Sequence, residues 1–163
     1  MKCYFLRHGI AVDPQEWSGS DFDRPLTREG RLRMEREARA IADLSLDLDV
    51  IVTSPLVRAK QTAEIVAERL KARCEPVEDD RLADGFNVER LGAILSAHAG
   101  AESIMLVGHE PTMSLTLGQL AGGAHLELKK GALAGIEFAG PSPASGTLTC
   151  LIPPKVLVAF GKR

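Results

Sequence analysis

Val50-Ile51-Val52-Thr53-Ser54-Pro55-Leu56-Val57-Arg58-Ala59-Lys60-Gln61-Thr62-Ala63-Glu64-Ile65-Val66-Ala67-Glu68-Arg69-Leu70 changes its period part-way along. Residues 50–53 are β-branched throughout, which is the pattern of a strand buried on both faces. Beyond them Ala59, Ala63, Val66 and Leu70 fall on one face of a helix. Ser54 reads as the N-cap of a helix over 55–70, with Pro55 at its first position. A buried strand joined to an amphipathic helix by a tight turn is the repeating unit of an α/β fold.

The same unit recurs on both sides. Residues 2–6 form a short apolar run that stops at Arg7-His8-Gly9. Residues 10–26 follow with no steady period, and a loop of that length in a compact domain is usually functional. Thr27 then caps a helix over 28–44, with Met34, Ala38, Ile41 and Ala42 at helical spacing. Downstream, 75–78 reads as a short strand and 79–85 as a polar turn. Asn87 caps a helix to Leu95. Residues 103–107 are another buried strand, ending in Gly108-His109-Glu110-Pro111, and Pro111 precedes a helix over 112–120. Residues 133–138 and 147–152 read as a late hairpin. The expectation is one domain, 1–163, of three-layer α/β/α type. Its sheet is mostly parallel, with a C-terminal antiparallel hairpin.

Composition narrows the function. The 45% apolar content suffices for a core without staples, and a net charge of −2 with only 4% aromatics argues against a nucleic-acid binder. No apolar run approaches a membrane span, and the run at the start is too short for a secretory leader. Three cysteines, Cys3, Cys74 and Cys150, have no close pairing in sequence. They read as free thiols of a reducing cytoplasm.

In a parallel sheet, ligands bind beyond the carboxyl ends of the strands. Arg7 and His8 follow the first strand, Ser54 and Arg58 the second, and His109 and Glu110 the strand ending at Val107. The topology therefore gathers two imidazoles and two guanidiniums at one sheet edge. Arginine matches phosphate oxygens with planar donors, and helix N-termini add oriented N–H groups. A neutral histidine can attack phosphorus, and arginines hold the transferring charge, so no Mg²⁺ or other cofactor is expected. Other histidines lack this setting. His98 lies near a helix end and His125 in a Gly-rich turn. His109-Glu110 begins like a zinc-protease motif, but Met113 stands where the second histidine is needed, so no metal site is expected.

These blocks resemble the histidine phosphatase superfamily, which includes the cofactor-dependent phosphoglycerate mutases. Its Arg-His-Gly signature is Arg7-His8-Gly9, and its Ser-Pro-x-x-Arg-Ala-x-Gln-Thr-Ala segment runs from Ser54 to Ala63. Its late histidine is His109 in Val107-Gly108-His109-Glu110-Pro111. Where mutase-like members commonly read Arg-His-Gly-Glu-Thr, this chain has Ile10-Ala11 after the glycine. The stretch Arg24-Pro25-Leu26-Thr27-Arg28-Glu29-Gly30 is similar to that of the small SixA-type phosphohistidine phosphatases.

The resemblance implies a phosphoglycerate mutase-like fold and a nucleophilic His8. Arg7, Arg58 and His109 would hold the phosphoryl group, with Gly9, Glu110 and Arg24 among the substrate-binding residues. Arg24 equally reads as a surface arginine paired with Asp21 or Asp23. Asp84 is the nearest candidate proton donor, and it also reads as a turn residue before Gly85. The implied substrate is a phosphohistidine-bearing protein, such as a phosphotransfer domain or carrier, with no nucleic-acid or membrane partner. Two rivals stay open: a phosphatase for small phosphomonoesters, and a phosphohistidine-binding module without turnover.

Overall fold

The computed structural model describes residues 1–71, 75–139, 143 and 145–162. Six strands form one sheet: β1 (Lys2–Arg7), β2 (Val50–Thr53), β3 (Val77–Glu78), β4 (Ser103–Gly108), β5 (Leu133–Glu137) and β6 (Thr147–Ile152). Their order is β3-β2-β4-β1-β5-β6. The first four run parallel, while β5 and β6 are antiparallel.

Alternation along the strands sorts the core into two layers. Cys3, Phe5, Val50, Val52, Ile104 and Leu106 face one side. There they meet α3 (Val88–Ala97) and α4 (Thr112–Leu120) through Leu91, Ile94, Met113 and Leu117. Leu6, Ile51, Met105 and Val107 face the other side. They meet α1 (Arg28–Asp43), α2 (Val57–Leu70) and α5 (Pro154–Phe160) through Met34, Ile41, Ala59, Val66 and Leu157. Each fully buried side chain of this size contributes about 1.5–3 kcal/mol relative to exposure. The central strands, buried on both faces, therefore fix the register.

That register places the site. Arg7 pairs with Gly108 and Thr53 with Val107, so β1, β2 and β4 end level. The ladder continues past them: His8 N–H donates to Gly108 O at 3.1 Å and Ser54 N–H to Val107 O at 2.9 Å.

Several elements differ from the sequence reading. Ser54 is not a helix N-cap, because α2 starts at Val57 with Leu56 at its cap position. Ser54 still lies on the β2 row, and the free Val57 N–H is met at 3.0 Å by Phe22 O, from the long loop. The helix after Asn87 runs two residues further, to Ala97, and the polar turn contains a 3₁₀ segment at Asp80–Leu82. Residues 28–44 lose Leu44 to the C-cap. Helix α5 was not expected; seven residues are too few to display a helical period. Cys3 is buried and Cys150 half-buried, both as free thiols, while Cys74 lies outside the described residues. No helix among the described residues is long and apolar enough to cross a membrane.

Candidate active site

His8 and His109 stand at the ends of neighbouring strands, with ring centroids 5.2 Å apart. Both are buried, at 6% and 9% exposure. Burial is the main cause that pushes His8 down to about 3, and the neighbouring His109, Arg58 and Arg7 push the same way. Burial also leads for His109, pushed down to about 4, with Arg58 adding to it. Both rings are therefore neutral at pH 7.

The tautomer of His8 follows from its contact. Its Nδ1 lies 2.7 Å from Gly9 O, and a carbonyl only accepts, so Nδ1 carries the proton. In a neutral ring this leaves an unprotonated lone pair on Nε2. His109 is held from the other side, with Nε2 2.7 Å from Ser54 Oγ.

The guanidiniums are fixed by different means. Arg7 Nη1 donates to Leu128 O at 2.9 Å. Arg58 is 6% exposed and reaches the loop, donating from Nη1 to Asp21 O at 2.8 Å and from Nη2 to Asp21 Oδ2 at 3.0 Å. Arg24 pairs with the same carboxylate, Nε to Oδ1 at 2.9 Å, and also donates to Val12 O at 2.8 Å. Arg24 is thus paired with Asp21, and through Asp21 it adjoins Arg58.

Among the described residues, three buried side-chain nitrogens have no protein partner: Arg7 Nε, Arg58 Nε and His109 Nδ1. All three belong to this cluster. A buried unsatisfied donor costs about 1–3 kcal/mol, so the cluster suits a ligand rich in acceptor oxygens. A phosphoryl group, with charge spread over its oxygens, has that character.

The remaining predicted residues sit nearby in differing roles. Gly9 is buried, and its N–H donates to Thr62 Oγ1 at 3.1 Å. Glu110 Oε1 accepts from Ser114 N–H at 3.0 Å, and its charge acts on Arg7. Asp84 is exposed, but its charge is felt by both Arg58 and His109, which places its carboxylate beside the cluster. Its carbonyl accepts from Arg90 Nη1. His98 ends α3 and His125 is exposed, both outside the cluster. No group of three His, Cys, Asp or Glu side chains among the described residues is placed to hold a metal ion.

Three contributors were not read from sequence as site residues. Ser54 supports His109, Asp21 bridges two arginines, and Thr62 ties Gly9 to the Arg58 carbonyl by donating at 2.8 Å. Thr62 had a signal: it lies one helical turn after Arg58, inside the same sequence block.

Residues 3–90 match the model of the histidine phosphatase superfamily (branch 1). This chain belongs to that superfamily. As a histidine phosphatase it is a hydrolase that removes phosphoryl groups. Its resemblance to the SixA-type branch is borne out. The chain is 27% identical over 126 residues to the phosphohistidine phosphatase SixA of Escherichia coli (strain K12), covering 76% of each chain. It is 37% identical over 147 residues to an uncharacterised protein of Picosynechococcus sp. (strain ATCC 27264 / PCC 7002 / PR-6), covering 84% of this chain and 85% of that one. Among solved structures, the protein histidine phosphatase SixA complexed with tungstate superposes with a TM-score of 0.85 at 24% identity, over 96% of this chain and 99% of the other. The α-ribazole phosphatase of Shigella flexneri shares the fold too, with a TM-score of 0.76 at 20% identity over 94% and 97%.

Proposed function

We propose that this histidine phosphatase hydrolyses phosphohistidine on a protein, through a phospho-His8 intermediate. Nε2 of His8 attacks phosphorus; the P–N bond to the substrate imidazole breaks, and that imidazole takes up a proton from solvent. Water then attacks the phosphoryl group on His8. The P–N bond to Nε2 breaks, its electron pair returns to the ring, and orthophosphate leaves. Arg7, Arg58 and His109 hold the phosphoryl oxygens throughout, and the two arginines supply the positive charge that a divalent ion supplies in other phosphoryl transfers.

The observation that carries the reading is the His8 ring with its proton on Nδ1, set beside two unpaired buried guanidinium N–H donors and the unpaired Nδ1 of His109. The substrate class draws on the carboxylates. Desolvation raises the pKa of Asp21, but its ion pairs with Arg24 and Arg58 outweigh this and hold it low, so it is deprotonated at neutral pH and has no proton to donate. Asp84 is exposed. Imidazole leaves without a strong acid, whereas a sugar alkoxide must be protonated as it departs. A phosphotransfer domain or a phosphohistidine carrier fits this chemistry, and a cytoplasmic setting suits the free thiols.

The second reading, a small phosphomonoester as substrate, is favoured by the fold shared with an α-ribazole phosphatase. The deciding measurement is kcat/KM on a phosphohistidine protein, p-nitrophenyl phosphate and a sugar phosphate, for wild type and Asp84→Asn. We expect the phosphohistidine protein to be best by tenfold or more, with Asp84→Asn changing it less than about threefold. Best turnover of the sugar phosphate, lost on changing Asp84, would establish the second reading.

A further inference from the structure

The catalytic edge of the sheet continues past the histidine cluster. Leu133 pairs with Leu6 on one side and with Ile152 on the other. The next row therefore carries Arg7, Ala132 and Pro153, and Arg7 N–H donates to Ala132 O at 3.2 Å. At roughly 4.8 Å per strand, Pro153 lies about 10 Å from Arg7 along this row.

A groove of about 470 Å³ opens there. Ala132, Leu151, Pro153 and Pro154 give it an apolar floor, and Lys129 and Lys155 stand at its rim. Both lysines are exposed and belong to none of the salt bridges among the described residues. Exposed Lys130 adjoins Lys129 in the chain. Arg33, also on the rim, is answered by buried Glu37 at 3.0 Å. Glu127 is the one carboxylate in the lining, and its charge acts on Arg7. The rim thus keeps unanswered positive charge over an apolar floor. It is physically joined to the phosphoryl site, because Arg7 is held by Leu128 O and Gly131 N–H reaches Arg7 O and His8 O at 3.1 and 3.2 Å.

We propose that this groove docks the polypeptide flanking the phosphorylated histidine, and that it selects a segment carrying both acidic and apolar residues. The inference rests on the phosphohistidine reading and deepens it by naming the partner's surface chemistry. Acidic side chains meet Lys129 and Lys155, apolar ones cover Leu151 and the two prolines, and the phosphohistidine reaches His8 about 10 Å away. A free phosphorylated amino acid fills only the last of these places, at His8.

The test uses three substrates: free phosphohistidine, a phosphohistidine peptide flanked by Glu and Leu, and the same peptide with Lys in place of Glu. Wild type is expected to prefer the acidic peptide to the basic one by about tenfold in kcat/KM, through KM, with the preference fading as salt is added. The double variant Lys129→Glu/Lys155→Glu is expected to reverse the preference while leaving free phosphohistidine unchanged. Equal use of both peptides by wild type, or an equal loss on all three substrates in the variant, overturns the docking proposal and leaves the phosphohistidine reading intact. If none of the three is hydrolysed while p-nitrophenyl phosphate is, the phosphohistidine reading falls and the docking proposal with it.

Discussion

The phosphoryl site has two sides that differ in how they hold charge. On the sheet side, His8 and His109 follow directly from β1 and β4 and are at most 9% exposed. On the loop side, Asp21 is 61% exposed at its side chain and sits between Arg24 and Arg58. The sheet side removes its titratable groups from water and keeps them neutral. The loop side leaves its carboxylate in water and balances it with ion pairs. Desolvation of an ionisable ring is costly and hard to vary, whereas an exposed pair contributes little and is screened by salt. On the proposed mechanism, reactivity belongs to the sheet side and adjustment of anion affinity to the loop side.

The largest expected effect breaks the comparison if the wrong side responds. His8→Ala is expected to lower turnover by about a thousandfold or more, because the proposed reaction begins with attack by His8 Nε2. Orthophosphate should still bind, since Arg7, Arg58 and His109 remain. Single-turnover kinetics with a labelled phosphohistidine substrate would read both, through label retained on the protein and through product inhibition. Near-normal turnover in the variant would remove His8 from the mechanism.

Next in size is the pH dependence of stability, which separates groups kept neutral by burial from groups kept charged by pairing. His8 and His109, at about 3 and 4 when folded, lie below their ordinary value of 6.5. The unfolded chain binds their protons first, so the stability they support is full above about 6.5 and is lost as pH falls. Glu37 acts with the opposite sign. Buried at 1% exposure, it is pushed up to about 7 by desolvation, against the pull of Arg33. Its contribution is full below its ordinary value of 4.5 and is lost as pH rises to about 7. Near pH 5 the two imidazoles bind almost two protons more in the unfolded chain and Glu37 most of one more in the folded, so stability should rise with pH by about 1.4 kcal/mol per unit, and less steeply toward pH 6.5, where the unfolded imidazoles are half deprotonated. Glu37→Gln removes the opposing proton and should steepen the slope near pH 5 to about 2.5 kcal/mol per unit. Denaturant unfolding across this range measures both slopes. A flat profile in Glu37→Gln would mean that the rings are not held neutral, and the same slope in both proteins would mean that Glu37 gains no proton on folding.

The difference between the two sides also explains what could be read from the chain. Strand ends were legible because β1, β2 and β4 are continuous apolar runs that stop at polar residues. His8, Arg58 and His109 follow those runs in compact blocks, so a topological rule sufficed to bring them together. Ser54 was misread as an N-cap because the helix starts only at Val57; its Oγ accepts from Leu56 N–H at 3.3 Å and also meets His109, 55 residues away. Asp21 was legible only as one of two partners for nearby Arg24, since a loop without period says nothing about which carboxylate reaches the distant Arg58. Glu37 lay hidden in a helix whose other charges face water. Only its approach to Gly131, at φ +83° and with no room for a Cβ beside the carboxylate, shows why it is buried. The α/β/α layering survived these errors because it depends on alternation along the central strands and not on any cap.

The smallest expected effect sharpens the loop side alone. Asp21→Asn keeps an acceptor oxygen for Arg58 and removes the negative charge shared by Arg58 and Arg24. With one fewer anion competing for the guanidiniums, orthophosphate should inhibit more strongly, with Ki about two- to fivefold lower at low ionic strength. Because the carboxylate is exposed, the gain should shrink as salt is raised and nearly vanish once the screening length falls to a few ångströms. Turnover should change less than Ki, since His8 and its tautomer-fixing contact with Gly9 do not involve the loop. Inhibition by orthophosphate at low and high salt, compared between wild type and the variant, is the measurement. A Ki unchanged at low salt would show that the Asp21 charge is not felt at the site. A thousandfold loss of turnover would move the loop side into the reaction itself and end the division between the two sides.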